Sequence, residues 1–438
     1  MTRIRSPRTS VVVALFGAVA AALMVMCAEA TAQTVMVRVF DEEAGRPLVG
    51  ALAYLKDESG ATAKNALTDQ LGRALFVGIE AGTYRVDVEM IGMADSGTEL
   101  FDISAGATVA HEVRMSSRAI QLEGIEIDVG GRCSVRPDGE GLLVAQVWDE
   151  ARKALQAASF TDERGLYRYE TMRYERAVDR NTGVVLSEDQ SRQQGYMATP
   201  FESRPAEDLI ENGFVQPSGV DLIYYAPDAT VLLSDPFLDT HCFRLEGPRD
   251  EDGAIGLRFE PTGENRRVPD IRGTIWLDPA SAQLQSLEYQ YRYLEPEMIS
   301  DRVGGQVDFQ RMPNGTWIVP EWWIRMPVMG SQTDFQGRRR PYIAQYHVTG
   351  GLVLEAREAG GRSLGQRTAT GGIEGITLDS IGLPKQGVRV GVLGSNQTVF
   401  SNAEGRFSIT GLAEGRYRVR FVDQELAAIG HVSAPLTR

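Results

Sequence analysis

Histidine and cysteine, the residues that most often bind zinc, are scarce and scattered in this chain of 438 residues. The four histidines are His111, His241, His347 and His431. None has a second histidine or a glutamate at the spacing of a metal-ligand motif, and His111 and Glu112 are neighbours on a predicted strand, so they point to opposite faces. The sequence therefore predicts no metal site and no cofactor. A structural metal cage formed by Cys133, Cys242 and His241 is the alternative.

Side chains for nucleophilic or acid–base catalysis also lack a recognisable arrangement. No G-x-S-x-G elbow occurs, neither Cys133 nor Cys242 stands in a catalytic frame, and no glycine-rich loop matches a phosphate cradle. Carboxylates are abundant, and two of them could meet in a cleft to hydrolyse a glycoside, but nothing in the sequence selects a pair. The sequence therefore predicts no catalytic residue.

Aromatic residues in the middle of the chain are the best candidates for ligand binding. On a predicted strand over residues 316–326, Trp322 lies on one face while Trp317 and Trp323 lie on the other. If one face packs on the core, the other displays tryptophan beside charge, as surfaces that bind sugars, lipids or proteins do. The alternative is that both faces are covered. Three tyrosines that alternate along another predicted strand could extend this surface: Tyr289, Tyr291 and Tyr293.

The first 32 residues have the pattern of an export signal. Three arginines precede an apolar run over residues 11–26, and a small-x-small cleavage site follows at residues 30–32. Removal of residues 1–32 leaves Cys133 and Cys242, which we expect to form a disulfide in an oxidising compartment. An uncleaved membrane anchor and two free thiols are the alternatives.

The charge of the chain limits its partners. The formal net charge is −14, and removal of three Arg and one Glu with the signal takes it to −16. Such a chain repels phosphate backbones, which argues against a nucleic-acid partner. No later segment is long and apolar enough to span a bilayer. The predicted location is periplasmic or extracellular, with association with the outer membrane left open.

One segment of the chain occurs twice. TDQLGRALFVGIEAGTYRVDV at residues 68–88 returns as SNAEGRFSITGLAEGRYRVRF at residues 401–421. The matched glycines suit turns that need a positive φ. Tyr84 and Tyr417 are predicted to bury their rings and to bond the hydroxyl to the backbone, as a tyrosine corner does. Because repeats define modules, we predict one small β-sandwich near each end of the chain.

The first of these modules carries an ordered set of motifs: D-x-x-x-G-x-P-L-x-G, then T-D-x-x-G-x-x-x-F, then G-x-Y-x-V-x-V. The residues are Asp41, Gly45, Pro47, Leu48, Gly50, Thr68, Asp69, Gly72, Phe76, Gly82, Tyr84, Val86 and Val88. This order resembles the carboxypeptidase regulatory-like (transthyretin-like) domain. The C-terminal copy departs from it, with Ser401-Asn402 in place of Thr-Asp. In that family the domain is a non-catalytic accessory, so the resemblance implies a fold and no activity.

The middle of the chain is predicted to hold one helix and a long antiparallel sheet. Over residues 138–158, apolar residues recur at helical spacing on one face. The hairpin at residues 273–291 resembles that of the periplasmic lipoprotein-carrier half-barrel superfamily, which implies a strongly curved sheet around the helix. The fold class is therefore mainly β, with two transthyretin-like sandwiches flanking this domain. The predicted divisions are the signal 1–32, sandwich 33–118, connector 119–131, central domain 132–358, linker 359–371 and second sandwich 372–438.

These features favour an exported, non-catalytic binding or interaction protein of the cell envelope. Its central domain is predicted to bind an apolar or amphipathic ligand, or an envelope protein, glycan or lipid partner. A glycan or peptide hydrolase with its site in the central domain is one alternative, and a purely structural envelope protein is another. The deciding observation is whether the helix over residues 138–158 fills one face of the sheet or leaves a cavity there.

Overall fold

The computed structural model describes residues 33–117, 142–196, 201, 203–249, 253–263, 268–358, 360–366, 371–428 and 435–437. The predicted signal and connector lie outside these residues, so both stay predictions. The described chain forms two compact units. Residues 49–51 and 89–94 belong to the second unit, together with everything after residue 115.

The first unit is a small β-sandwich made of two sheets. One sheet has β1 (Gln33–Asp41) at its centre, with β4 (Arg73–Ile79) antiparallel to it and β8 (Thr108–Met115) parallel to it. The other sheet contains β2 (Leu52–Asp57), β3 (Thr62–Leu67), β5 (Gly82–Glu89), β6 (Ser96–Gly97) and β7 (Phe101–Ile103). Alternate residues of β1 are fully buried, as predicted for a strand with one face on the core: Val35, Val37 and Val39.

The second unit is built on a ten-stranded antiparallel sheet. Its strands are β9 (Tyr167–Asp179), β10 (Val185–Gly195), β13 (His241–Glu246), β14 (Ile255–Pro261), β15 (Asp270–Leu277), β16 (Leu284–Arg292), β17 (Gly304–Asp308), β20 (Glu321–Thr333), β21 (Arg339–Glu358) and β22 (Ser363–Gln366). They run in the order β10-β9-β21-β20-β17-β16-β15-β14-β13, and β22 pairs with β21. Two separate hairpins are formed by β11 (Val215–Ser218) with β12 (Asp221–Tyr224) and by β18 (Gln310–Arg311) with β19 (Trp317–Ile318).

The predicted long helix is α1 (Leu142–Glu163), which packs on one face of this sheet. Its apolar stripe is buried as the helical spacing indicated, with Val147, Ala151 and Leu155 each at most 1% exposed. These residues share a core with side chains of β13 to β17 and β20. The helix thus occupies the apolar face of the sheet. Within the described ranges, no helix is long and apolar enough to cross a membrane.

Three short helices cover more of the same face, and the sequence did not predict them. They are α2 (Ala206–Asn212), α3 (Ala229–Leu232) and α4 (Asp235–Thr240). Residues 231–233 have the apolar composition of a short strand, but they lie at the end of α3. The Asp228 side chain accepts the Val231 N–H at 2.8 Å, and Ser234 caps α4 in the same way, so both segments begin helices.

The predicted strand over residues 316–326 is also wrong, because it is two strands. Trp317 and Ile318 pair with β18, whereas β20 begins at Glu321 and pairs with β17 and β21. Pro320 lies between them, and a proline has no N–H for a ladder hydrogen bond.

The linker predicted over residues 359–371 is partly a strand. Residues 363–366 form β22 on the edge of β21, and β23 begins at Gly371. The remaining strands are β23 (Gly371–Ile376), β24 (Arg389–Val392), β25 (Thr398–Phe400), β26 (Arg406–Leu412), β27 (Arg418–Val422) and β28 (Leu436–Thr437), with α5 (Gln424–Ala428). Strand β23 pairs with β26, while β24 pairs with β25 and β27, as β1 pairs with β4 and β2 with β3 in the first unit.

The repeated turn is the same in both copies at the level of single hydrogen bonds. Asp69 Oδ1 accepts the N–H groups of Leu71 and Arg73, and Asn402 Oδ1 accepts those of Glu404 and Arg406. The glycine of each turn has φ +70, and a Cβ there would lie 2.5 Å from the Val39 carbonyl or 2.6 Å from the Thr377 carbonyl. Both features explain why glycine recurs at these positions.

Strands β23 to β28 lie in the same compact unit as the ten-stranded sheet and contact its β9–β10 hairpin. Val185 of β10 belongs to the hydrophobic core of these strands. The Val185 N–H donates to the Arg416 carbonyl, and the Glu188 N–H donates to the Gly394 carbonyl, both at 2.8 Å. The predicted boundary between the central and C-terminal domains stays a prediction.

Candidate functional site

Two of the predicted ligand-binding tryptophans lie in the hydrophobic core. Trp317 is 2% exposed and Trp322 is 7% exposed. Trp322 packs against Phe201, with ring centroids 5.4 Å apart. The expected exposed tryptophan face therefore does not form at these two residues, because α1 packs on the strand of Trp317 and Phe201 packs on Trp322.

The predicted row of tyrosines is divided in the same way. Tyr289 and Tyr291 are buried on the apolar side of β16, and burial raises the pKa of both hydroxyls. The Tyr291 hydroxyl donates to the Tyr225 carbonyl at 3.0 Å. Tyr293 does not continue the alternation, since β16 ends at Arg292 and Tyr293 has a φ of +56. These tyrosines form no continuous surface with the tryptophans.

Trp323 is the predicted residue that reaches the open face of the sheet. It is half-buried and lies in register with Gln306 of β17. The same row continues through Glu288, Thr274 and Arg258 on the next three strands. This face points away from α1 and is polar, so it is the part of the sheet that the apolar core leaves free.

A cavity of about 330 Å³ lies on this face. The row next to that of Trp323 contains Arg272, Gln290, Gly304 and Arg325 on four adjacent strands. Because Gly304 has no side chain, the row has a gap between Gln290 and Arg325. The charged residues that line the cavity are Arg258, Arg272, Arg302, Arg325, Glu288 and Asp301.

Arg325 is the cation without a partner in this cavity. Its buried Nε has no hydrogen-bond partner, and no carboxylate among the described residues forms an ion pair with its guanidinium. The guanidinium carbon lies 4.7 Å from the centre of the Trp323 ring. Burial, with the neighbouring Arg302 cation, lowers the pKa of Arg325, although arginine remains charged in proteins. A buried donor left unpaired costs about 1–3 kcal/mol, so a bound acceptor would be stabilised here.

The other arginines of the cavity are neutralised only in part by carboxylates. Arg258 pairs closely with Glu260, at 2.7 Å. Arg272 donates to the Gln290 side-chain oxygen at 2.7 Å and 3.0 Å, whereas Asp301 is 3.8 Å away. Burial lowers the pKa of Arg272, and the nearby Arg292 and Arg258 cations lower it further. The cavity thus has an excess of positive charge within a chain of net charge −14.

Arg302 completes one side of the cavity. Its Nη1 donates to the Arg180 carbonyl at 2.7 Å. The other N–H groups of its guanidinium form no hydrogen bond with the described residues. Guanidinium groups bind carboxylates, phosphates and sulfates through paired hydrogen bonds. Arg302, Arg325 and Trp323 can therefore hold an anionic group and a flat or apolar group side by side.

An Asp–His pair exists in the described chain but is closed to substrate. His241 Nε2 lies 3.2 Å from Asp270 Oδ1, and its Nδ1 lies 3.1 Å from the Phe237 carbonyl. The His241 ring is fully buried and stacks on Phe237 at 3.9 Å. This packing makes the pair part of the core, and it places His241 Nδ1 within hydrogen-bond distance of the Phe237 carbonyl and the Thr240 hydroxyl.

Among the described residues of the unit, the carboxylates offer no clear acid–base pair. Glu288 at the cavity lies 3.1 Å from Arg249, and Asp301 is 92% exposed. Burial raises the pKa of Glu150, but its side chain is 2% exposed and lies 3.3 Å from Lys153 on the same helix. Among the described residues, no group of three or more histidines, cysteines or acidic residues could hold a metal ion.

The predicted disulfide lies partly outside the described residues. Cys242 is 3% exposed and takes part in a disulfide. Cys133 is not among the described residues, so the pairing of these two cysteines stays a prediction.

No motif in the sequence indicates the arginine-lined cavity. Each arginine is one of many in the sequence, and the four come from four separate segments between residues 258 and 325. Only the register of five strands places them together. One usable signal was present: Gly304-Gly305 inside a strand marks a place where a side chain is missing from the sheet.

Comparison with known proteins identifies the first unit. Residues 34–116 match the model of the carboxypeptidase regulatory-like domain, which confirms the prediction for this part of the chain. No curated protein matches the chain.

Several solved structures resemble parts of the chain weakly. A 5-hydroxyisourate hydrolase from Klebsiella pneumoniae is 23% identical over 19% of this chain and 90% of that chain, with a TM-score of 0.17. The shaft pilin spaA from Lactobacillus rhamnosus GG is 12% identical over 20% of this chain and 48% of its own, with a TM-score of 0.17. The major pilin subunit BcpA of Bacillus cereus is 10% identical over 93% and 94%, with a TM-score of 0.18. TM-scores this low carry no argument about function.

Proposed function

We propose that this chain is an exported, non-catalytic binding protein whose ten-stranded sheet binds an anionic or amphipathic ligand in the arginine-lined cavity. The observation that carries the proposal is Arg325 beside Trp323: the arginine is half-buried, and its buried Nε has no hydrogen-bond partner. The anionic group of the ligand sits against Arg325 and Arg302, and its flat or apolar part packs on Trp323. A purely apolar ligand fits less well, because α1 and the short helices occupy the apolar face of the sheet.

The size and chemistry of the cavity agree with a small ligand. Its volume of about 330 Å³ is at the low end of the range for small-molecule sites. Two paired guanidinium hydrogen bonds fix the orientation of a carboxylate or phosphate. Among the described residues that line the cavity, the carboxylic acids are Glu288 and Asp301, and neither is buried, which favours binding without chemistry.

The rest of the chain has accessory roles in this proposal. Residues 1–32 direct export, and residues 372–438 are a second carboxypeptidase regulatory-like sandwich. The equal hydrogen bonding of the turns at Asp69 and Asn402 supports this second assignment. In the sequence, the two sandwiches stand before and after the binding domain, which acts at the cell envelope. Neither sandwich binds the ligand.

Titration calorimetry with phenyl phosphate, inorganic phosphate and benzyl alcohol tests the proposal. Phenyl phosphate should bind more tightly than inorganic phosphate, because it also contacts Trp323, and benzyl alcohol should not bind. Arg325→Gln should weaken phenyl phosphate about 10- to 100-fold, which corresponds to the loss of a charged hydrogen bond. Trp323→Ala should weaken phenyl phosphate and leave inorganic phosphate unchanged.

Arg389→Gln is the matched control. Arg389 is exposed on β24. Its replacement removes the same charge from the chain without changing a residue that lines the cavity. If Arg325→Gln and Arg389→Gln weaken binding equally, the effect is one of net charge and the proposed site is wrong. The absence of saturable binding by either anion would also contradict it.

A further inference from the structure

The hairpin of β20 and β21 extends beyond the sheet as a finger, defined here as residues 331–341. Strand β17 pairs with β20 only from Trp322 to Arg325, and β9 pairs with β21 only from Gln345 onward. The outer pairs, from Ser331↔Pro341 to Thr333↔Arg339, have no further strand beside them in the described part of the chain. Every residue of the finger is exposed except Asp334. The finger is therefore a separate surface from the cavity.

The tip of the finger is a well-defined turn. Asp334 Oδ1 accepts the N–H groups of Gln336 and Arg338, both at 2.9 Å, and Gly337 has a φ of +77. These backbone bonds hold the pKa of Asp334 below its usual value. Asp334 Oδ2 also accepts from the guanidinium groups of Arg338 and Arg340, at 3.0 Å and 3.3 Å. The carboxylate thus faces inward, and the turn presents its other side chains in fixed positions.

The side chains at this tip combine one aromatic ring with three cations. Phe335 is 95% exposed, an unusual position for a large apolar residue. Arg338, Arg339 and Arg340 follow it, and Asp334 is the one acidic residue of the finger. The tip therefore carries two net positive charges on a chain whose net charge is −14. Such a local reversal of charge orients the finger toward an anionic surface.

The turn at Asp379 has the same hydrogen bonds as the tip of the finger but lacks its aromatic residue and its arginines. Asp379 Oδ1 accepts the N–H groups of Ile381 and Leu383 in the same Asp-x-x-Gly turn, and Ile381 is 79% exposed. No arginine follows that turn. An exposed apolar residue in such a turn therefore does not by itself indicate a binding surface. The finger differs from the turn at Asp379 because its exposed residue is aromatic and is followed by three arginines.

We propose that the finger docks on a membrane surface that contains anionic lipid. Phe335 enters the interface between headgroups and acyl chains, where aromatic rings are favoured, and the arginines contact anionic headgroups. A soluble polyanion would be recognised by the arginines but offers no apolar phase for the ring. The aromatic residue at the outermost position therefore favours a lipid surface over an acidic polysaccharide.

Co-sedimentation of the purified chain with vesicles tests this proposal. Binding is expected to vesicles of phosphatidylglycerol with phosphatidylcholine, and not to vesicles of phosphatidylcholine alone, and it should weaken as salt is raised. Arg339→Gln should weaken binding about fivefold, the effect of one charge near an anionic surface. Phe335→Ser should weaken it about tenfold, since it removes the ring that enters the membrane.

Ile381→Ser is the matched control, because it removes an exposed apolar residue from the same kind of turn, and it should leave binding unchanged. Soluble polyglutamate serves as the second ligand. If the chain binds polyglutamate as tightly as vesicles and Phe335→Ser has no effect, the finger binds polyanions and the lipid proposal is wrong. The absence of binding to anionic vesicles would also overturn it, and the arginines would then only protect a strand edge. Arg325→Gln should bind vesicles normally, so this test is independent of the cavity.

Discussion

Replacement of Glu188 by glutamine should weaken the attachment of strands β23 to β28 to the sheet. Glu188 is bonded to Arg176 on the neighbouring strand, and their side chains are 1% and 6% exposed. Arg176 Nη1 donates to the Glu414 carbonyl at 2.6 Å, and its Nη2 lies 2.9 Å from the Tyr417 hydroxyl. That hydroxyl also lies 2.9 Å from Glu188 and 2.7 Å from the Ala413 carbonyl. One buried ion pair therefore connects the two parts of the second unit.

The expected magnitude follows from the burial of this pair. Removal of one partner from a buried ion pair leaves an uncompensated charge and costs about 3–5 kcal/mol. Since glutamine keeps a hydrogen-bond acceptor for Arg176, we expect Glu188→Gln to lower the free energy of unfolding by about 3 kcal/mol. Tyr417→Phe keeps the ion pair and should cost about 1 kcal/mol, the value of one hydrogen bond. The double variant Arg176→Met with Glu188→Leu should recover most of the loss, because neither charge is then buried.

Urea unfolding should be followed by circular dichroism and by tryptophan fluorescence in parallel. All five tryptophans lie between residues 148 and 323, so fluorescence reports on the ten-stranded part, whereas circular dichroism reports on every strand. If the C-terminal strands detach first, the two curves of Glu188→Gln will separate, while those of the wild type coincide.

Glu170→Gln is the matched control for this experiment. Glu170 lies on the same hairpin and pairs with Arg192 at 3.9 Å, with the arginine side chain 63% exposed. An exposed pair of this kind is worth about 0–1 kcal/mol. The reasoning is refuted if Glu188→Gln costs no more than Glu170→Gln, or if the double variant Arg176→Met with Glu188→Leu is less stable than Glu188→Gln.

Two further predictions concern the turn and capping residues. Gly72→Ala should destabilise the first unit by about 3 kcal/mol in thermal unfolding, since its φ is +70 and a Cβ would lie 2.5 Å from the Val39 carbonyl. Gly60 has a φ of +88 and open space around a Cβ, so Gly60→Ala should cost about 1 kcal/mol of stability. If Gly60→Ala and Gly72→Ala cost the same, the clash at Gly72 is contradicted. Burial raises the pKa of Asp228, so its ionised form costs stability at neutral pH, and this cost disappears as the pH falls through the folded-state pKa. Asp228→Asn keeps the cap on α3 and should melt above the wild type at pH 7, with the gap narrowing toward about pH 4. Asp228→Ala should lower the free energy of unfolding by about 1 kcal/mol, because it removes the cap. If the difference in melting temperature between Asp228→Asn and the wild type widens as the pH falls, the burial argument is contradicted.

Local patterns were sufficient for much of the fold. The apolar spacing over residues 138–158 predicted α1, because a helix is stabilised by its own backbone bonds and one stripe of side chains. The repeat predicted two matching turns, and the hydrogen bonds at Asp69 and Asn402 confirm that they are alike. Tyr417 bonds to the backbone at Ala413 as the tyrosine corner predicted.

Predictions failed for two reasons: a local signal was given too little weight, or a residue far away in the sequence decided the outcome. The tryptophans near residue 320 are on a strand-like pattern, but Pro320 divides it, and burial of Trp322 depends on Phe201. Residues 231–233 have an apolar composition that suits a strand, yet the Asp228 cap begins a helix there. Composition alone does not reveal whether tertiary contacts favour a strand or a helix where both preferences are weak.

By itself, the sequence determined the mainly β class, the long helix, the repeated turn and the match of residues 34–116 to a known domain, because each depends on residues close together in the chain. Only the tertiary structure decided which face of the sheet is open. The helices cover the apolar face, and strand register then places Arg272, Arg302 and Arg325 around the gap at Gly304. Their charges act on one another through space, and no spacing in the sequence records that distance.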